Sequence, residues 1–299
     1  MFVIKYRKIF YTFSILLGLL SAYAVYAYGF NLGIDFKGGS IIEVEYSRPV
    51  DVNLIKKNVA VLNFGEFSLR PTGDKGIILR TRNLKEMEHQ ALVTLLTTDD
   101  KEANIKRFDS VGPILGEELR GKAIWSIIYV IIAIVLFITF AFRHVSKPVS
   151  SWKYGIVAIV ALLHDIVIPT GVFAYLGHFR GIEIDALFVT ALLVVLGFSV
   201  HDTIVVFDRT RENLLKNISA KNSKGFETIV GESVSQTFAR SINTSLTTLL
   251  ALAVLYAIGP EATKNFALAL LIGIIAGTYS SIFIGSPLLV TLEKLQKKN

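Results

Sequence analysis

Six stretches of the chain stay apolar long enough to cross a bilayer: residues 9–29, 123–142, 154–176, 184–207, 238–259 and 266–291. A spanning helix needs about 20 residues for a hydrocarbon core of roughly 30 Å, and each stretch predicts one such helix. Between the first and second the pattern changes. Residues 40–46 alternate, with Ile42, Val44 and Tyr46 on one face, and predict a strand. A helix over 50–63 and a strand over 66–70 follow, and the turn Pro71-Thr72-Gly73-Asp74 leads to a strand over 76–82. A helix over 84–97 and a strand over 104–111 complete the order β-α-β-β-α-β, which is ferredoxin-like. The expected fold is an α-helical polytopic membrane protein with a small α+β ferredoxin-like domain between helices 1 and 2. The expected divisions are 1–30 (tail and first span), 31–122 (the inserted domain) and 123–299 (the remaining five spans).

Polar residues inside the apolar runs are the next signal. Asp202 lies in Ser199-Val200-His201-Asp202-Thr203, and Asp165 in Leu163-His164-Asp165. A carboxylate in a spanning helix costs roughly 2.5 to 3.5 kcal/mol on insertion scales, so each asks for a partner and a purpose. The fifth span answers with a stripe. Arg240, Asn243, Thr244, Thr247 and Thr248 share one helical face, which is expected to meet other helices or an internal water path rather than lipid. Arg240 is the nearest plausible cation for Asp202. Burial disfavours an ionised carboxyl and a guanidinium favours it, so a site that alternates between the two surroundings loads and releases a proton. The competing reading is a permanent salt bridge between two helices, or an arginine that only reaches the headgroups.

Asp165 stands equally as a second proton station and as a helix-fixing group, and Pro169 one turn later loosens that helix. Adjacent residues point about 100° apart, so neither His164-Asp165 nor His201-Asp202 can chelate a metal by itself, and His201 is turned away from the aspartate that follows it. His201, Asn243, Thr244 and Thr247 are secondary candidates around the relay. Gly273 and Gly277, with Ser281 at the next i+4, form a small-residue ridge for close helix packing, and Gly197 is expected to do the same in the fourth span. The glycines of Gly33-Ile34-Asp35-Phe36-Lys37-Gly38-Gly39-Ser40 lack phosphate-loop spacing, and a turn feeding the first strand is expected there, with Gly33, Asp35, Gly38 and Gly39 as its structural residues.

Composition agrees with a membrane protein: the chain is 52% hydrophobic, 18% charged and has a mean hydropathy of +0.54. It has no cysteine, so disulfides and thiolate metal sites are excluded. The net charge of +7 would suggest nucleic acid in a soluble chain. Here the basic residues cluster in loops on one side of the spans: Lys5, Arg7 and Lys8, then Arg143, Lys147 and Lys153, then Arg209, Arg211, Lys216, Lys221, Lys224 and Arg240, then Lys294, Lys297 and Lys298. The opposite short loops carry Arg180 and Lys264, so both termini are expected to be cytoplasmic and residues 31–122, whose charges balance, extracytoplasmic. The first apolar run is too long for a signal-peptide core and is expected to be a retained span. No nucleophile elbow, zinc spacing or nucleotide fingerprint occurs, so no chemical reaction, metal or cofactor is expected.

Several separated motifs, in order, resemble the SecF family of the bacterial protein-export apparatus. They are Gly33 to Gly39, Leu163-His164-Asp165, the run from His201 to Asn213, and Arg240-Ser241-Ile242-Asn243-Thr244-Ser245. The resemblance covers nearly the whole chain and implies the resistance-nodulation-division superfamily, of which six spans make one half. It implies a SecD-like partner and use of the proton-motive force to draw preproteins from the SecYEG channel after SecA has pushed from the cytoplasm, all in the bacterial cytoplasmic membrane. It also implies proton-relay roles for Asp202 and Arg240. His201 stands where some relatives have asparagine, a departure that bears on the pH dependence of the relay. A scaffold subunit and a half-size exporter of the same superfamily are the competing classes, and proton and sodium stay open as the coupling ion.

Overall fold

The structure is a computed structural model that describes residues 2–98, 100, 102–143, 150–220 and 224–298; Lys147 and Lys221, two of the residues used for orientation, lie outside them. Its contacts divide into two compact units, residues 32–124 and residues 1–31 with 125–299.

The first unit holds a one-turn helix α3 (Ile34–Lys37), β1 (Gly39–Glu45), α4 (Val52–Val61), β2 (Ser68–Thr72), β3 (Gly76–Thr81), α5 (Glu86–Thr98) and β4 (Asn104–Val111). The sheet order is β2-β3-β1-β4 with every pairing antiparallel, as the β-α-β-β-α-β order predicts. Ile42 and Val44 pair with Leu79 and Ile77 across the β1–β3 ladder, and all four are buried against Val59, Leu92 and Leu96 of the helices. Each such side chain contributes about 1.5–3 kcal/mol of burial. Pro71 sits in β2, an edge strand, where its missing N–H breaks no interior ladder. Asp51 caps α4 by accepting from the backbone of Asn53 (2.9 Å) and Leu54 (3.4 Å).

The paired glycines have a geometric cause. Gly38 has φ +77°, and a Cβ there would lie 2.8 Å from Pro113 Cα; Gly39 has φ +141°, and a Cβ there would lie 2.8 Å from Thr81 O. Left-handed backbone and close approach both demand glycine. The motif is thus a turn into β1, as expected, that also lets the chain pass against Pro113.

The second unit contains α1 (Phe2–Lys5), α2 (Arg7–Tyr28), α7 (Ser151–Arg180), α8 (Ala186–Ser219), α9 (Phe226–Ile258), α10 (Glu261–Ser280) and α11 (Ser286–Lys298). Helix α6 (Pro113–Ala141) belongs to the first unit up to Ile124 and to this one from Trp125. Among the described residues six helices are long and apolar enough to cross a membrane, with α10 and α11 counting as one. Helix α8 packs on α10 through the predicted ridge. A Cβ at Gly273 would lie 2.3 Å from Val195 Cγ2, and one at Gly277 3.0 Å from Ser199 Cβ. Gly197 departs from expectation: it is exposed, with nothing within 4 Å of a Cβ, because it lies on the face of α8 turned away from α10.

Two helices outrun their apolar segments. Helix α8 continues to Ser219 and α9 starts at Phe226, so most of the connection expected between spans 184–207 and 238–259 is a helical hairpin. Hydropathy sees only the membrane-length part. The polar extension is held by Asn213, which donates to Ser233 Oγ at 2.9 Å and Gln236 Oε1 at 3.0 Å, and by the buried Leu214, Ile229 and Val230. The sixth span is interrupted by a π-helical turn, Ser281–Gly285. Pro287 lacks the N–H that would reach the carbonyl of Phe283, and a widened turn is a recognised response.

Candidate functional site

The two intramembrane aspartates lie on buried faces of α7 and α8. Asp202 is 2% exposed and shares its face with Thr203, Val206 and Phe207. Across from it are Ser241 and Ser245 of α9. Its Oδ2 and the Oγ of Ser241 are both buried without a hydrogen-bond partner among the described residues. Ser245 is tied instead to Thr278 Oγ1 of α10 at 2.6 Å. A buried carboxyl oxygen without a partner is costly and asks for an explanation.

Arg240 does not meet Asp202 in this structure. It is exposed and lines a cleft of about 650 Å³ with Asp208, Arg211, Gln236 and Thr237. The reason is one helical step: Ser241, the next residue, points inward at Asp202, and Arg240 is turned about 100° away. The polar stripe follows Arg240. Asn243 and Thr247 are exposed and Thr244 and Thr248 half-buried, with Thr247 and Thr248 bonding back to the carbonyl of Thr244 at 2.8 and 3.1 Å. The expectation that this stripe meets other helices is therefore not met within the chain, whose own helices cover the Ser241–Ser245 face instead.

Asp165 is fully buried and heavily bonded. Ser199 of α8 and Ser280 of α10 both donate to its Oδ2, the latter at 2.8 Å, and His164 Nδ1 lies 2.9 Å from its Oδ1. His164 and Asp165, though adjacent on the helix, bring their side chains together across that gap. His201, by contrast, is exposed. Pro169 sits four residues after Asp165, so the backbone carbonyl of Asp165 lacks its helical donor, although α7 continues unbroken to Arg180.

Ser199, Ser280, Ser241, Ser245 and Thr278 were not picked out by sequence reasoning. The available signal was small hydroxyl residues spaced by four in apolar helices, which reads as ordinary close packing until the carboxylates are placed beside them. Among the described residues no three His, Cys, Asp or Glu side chains converge as a metal set.

Residues 91–295 match the model of the C-terminal region of the SecD/SecF protein export membrane proteins, and residues 23–50 match the SecD/SecF GG motif. The chain belongs to the SecF family. The protein translocase subunit SecF of Thermobaculum terrenum is 42% identical over 97% of this chain and 93% of its own length. That of Sebaldella termitidis is 35% identical over 99% and 92%. The crystal structure of SecDF, a translocon-associated membrane protein from Thermus thermophilus, superposes with a TM-score of 0.82 at 31% identity over 97% of this chain. A SecDF in a super-membrane-facing form gives 0.67 at 32% identity over all of it. This chain spans only 38% and 39% of those two SecDF chains. The GG match contains Gly38 and Gly39, whose backbone geometry explains why this family feature is a glycine pair. The chain is a multi-pass membrane protein and a SecF-like subunit of protein export.

Proposed function

We propose that this chain is the smaller half of an ion-driven export machine. With a SecD-like partner it uses the proton-motive force to promote late steps of preprotein passage through SecYEG, SecA acting on the opposite, cytoplasmic side. It performs no chemical reaction of its own. Both termini are cytoplasmic and residues 31–122 extracytoplasmic in the cytoplasmic membrane, a reading supported by the side on which the loop lysines and arginines cluster.

One observation carries the reading: a buried Asp202 with an open carboxylate oxygen, beside a candidate spanning helix on which Arg240, Asn243 and Thr247 are exposed. Lipid does not accept such a stripe, so a second chain covers it and completes the site around Asp202 and Arg240. The partial span of the SecDF chains supports the same division of labour.

Moving one charge through the membrane field supplies about 2.3 kcal/mol per 100 mV. In a strain dependent on this subunit, Asp202→Asn and Arg240→Lys are expected to assemble with the partner. Gradient-stimulated export should then fall roughly tenfold or more. Normal export by both assembled variants sinks the proposal in favour of a scaffold. Repeating the assay with proton and sodium ionophores identifies the coupling ion.

A further inference from the structure

The relay around Asp202 leaves a second buried titratable pair unused. We propose that His164 and Asp165 form another proton-carrying station of the helical unit, with His164 Nε2 as the atom that gains and loses the proton. Its purpose rests on the ion-driven reading above, whereas its geometry does not.

Asp165 is 0% exposed and the His164 side chain 8% exposed. Ser199 and Ser280 both donate to Oδ2 of Asp165, and Nδ1 of His164 faces Oδ1 at 2.9 Å. An ionised carboxylate with those donors requires the hydrogen of a neutral imidazole on Nδ1, which leaves a lone pair on Nε2. Nε2 is buried and has no partner among the described residues. A buried polar atom in that condition is costly and asks for an explanation. A proton supplies one. Binding at Nε2 converts the imidazole to an imidazolium facing the Asp165 carboxylate, and release from the same nitrogen restores the neutral ring. No other bond forms or breaks.

The surroundings fit a station reserved for a proton. From α10, the Tyr279 ring stacks on His164 with centroids 6.0 Å apart. Its hydroxyl donates to the carbonyl of Phe10 at 3.0 Å and accepts from Ser14 of α2 at 3.5 Å, so it is committed elsewhere. From α8 comes the Ser199 hydroxyl. Among the described residues Asp165 is the one acidic group paired with His164, and no ion pair reaches the histidine from α2, α8, α10, the π-helical turn or α11.

Occupancy has a route to Asp202. Ser199 lies three residues before Asp202 on α8, and its carbonyl accepts from Thr203 at 3.1 Å and from Ser281 of the π-helical turn at 3.2 Å. An imidazolium at His164 weakens the hold of Asp165 on Ser199 and Ser280, the two bonds that tie α8 and α10 to α7. Asp202 faces Ser241 and Ser245 of α9, so the two sites lie against different neighbours of α8.

The test is nitrogen NMR of histidine-labelled chain in its partner complex in bilayers, titrated from acid to alkali. The His164 signal is assigned by its loss in His164→Gln or, should that variant not assemble, in a chain whose other four histidines are replaced. Protonation of Nδ1 alone is expected at alkaline pH, protonation of both nitrogens on acidification, and a different midpoint in Asp165→Asn. A single protonation state across the range, or a midpoint indifferent to Asp165→Asn, overturns the proposal. Failure of the ion-driven reading shows instead as normal export by Asp202→Asn, a result that leaves the His164 titration unaffected.

Discussion

The contrast between Gly273 and Gly197 shows how much depends on which side of a helix a residue occupies. Both are glycines in apolar helices, yet a Cβ at Gly273 meets the stiff branched side chain of Val195 at 2.3 Å and one at Gly197 meets nothing. Gly273→Ala is expected to cost about 1–3 kcal/mol by overpacking. Gly197→Ala should be neutral or slightly stabilising in the lone chain, since alanine is the better helix former by about 1 kcal/mol. Thermal unfolding in detergent, followed by circular dichroism, compares the two, and equal losses would contradict the packing described. The same one-step logic separates Ser241, which faces Asp202, from Arg240, which does not.

At the scale of elements, the corner between β3 and α5 offers a pH test outside the membrane spans. Glu88 accepts from Arg82 and from the backbone of Lys85 at 2.9 Å, and the Arg82 hydrogen bond, followed by the backbone one, holds its carboxyl down at about 2. Because the folded value lies below the ordinary 4.5, the stabilisation is complete above that ordinary value and disappears as pH falls toward 2. Carbon NMR of labelled glutamate should place the Glu88 midpoint near 2 in the wild type and higher in Arg82→Ala. An unchanged midpoint would remove Arg82 as the cause. Most elements were legible from pattern alone: the strand order and β4 agree with expectation, since alternation and turn residues are local signals. The helical hairpin beyond residue 207 and the π-helical turn were not, because contacts between distant segments and a proline's effect on the preceding turn leave no mark in hydropathy.

For the whole molecule, the exposed polar face of α9 is where the proposed second chain can be tested. The chain contains no cysteine, so single cysteines can be introduced without background. Asn243→Cys should crosslink to a second polypeptide in intact membranes, whereas Ser245→Cys, buried against α10, should stay unlabelled. Free reaction of Asn243→Cys with a lipid-phase reagent, and no crosslink, would show that no chain covers this face.

Six spans, an inserted ferredoxin-like domain and two costly aspartates followed from the sequence by itself, because hydrophobic period, turn chemistry and the expense of buried charge are properties of neighbouring residues. Tertiary structure alone decided that Asp165 meets Ser280, 115 residues away, that His164 turns toward Asp165, and that α9 offers serines rather than Arg240 to Asp202. Those outcomes depend on which helix faces are pressed together, and a helix presents every face in its sequence until its neighbours cover some of them.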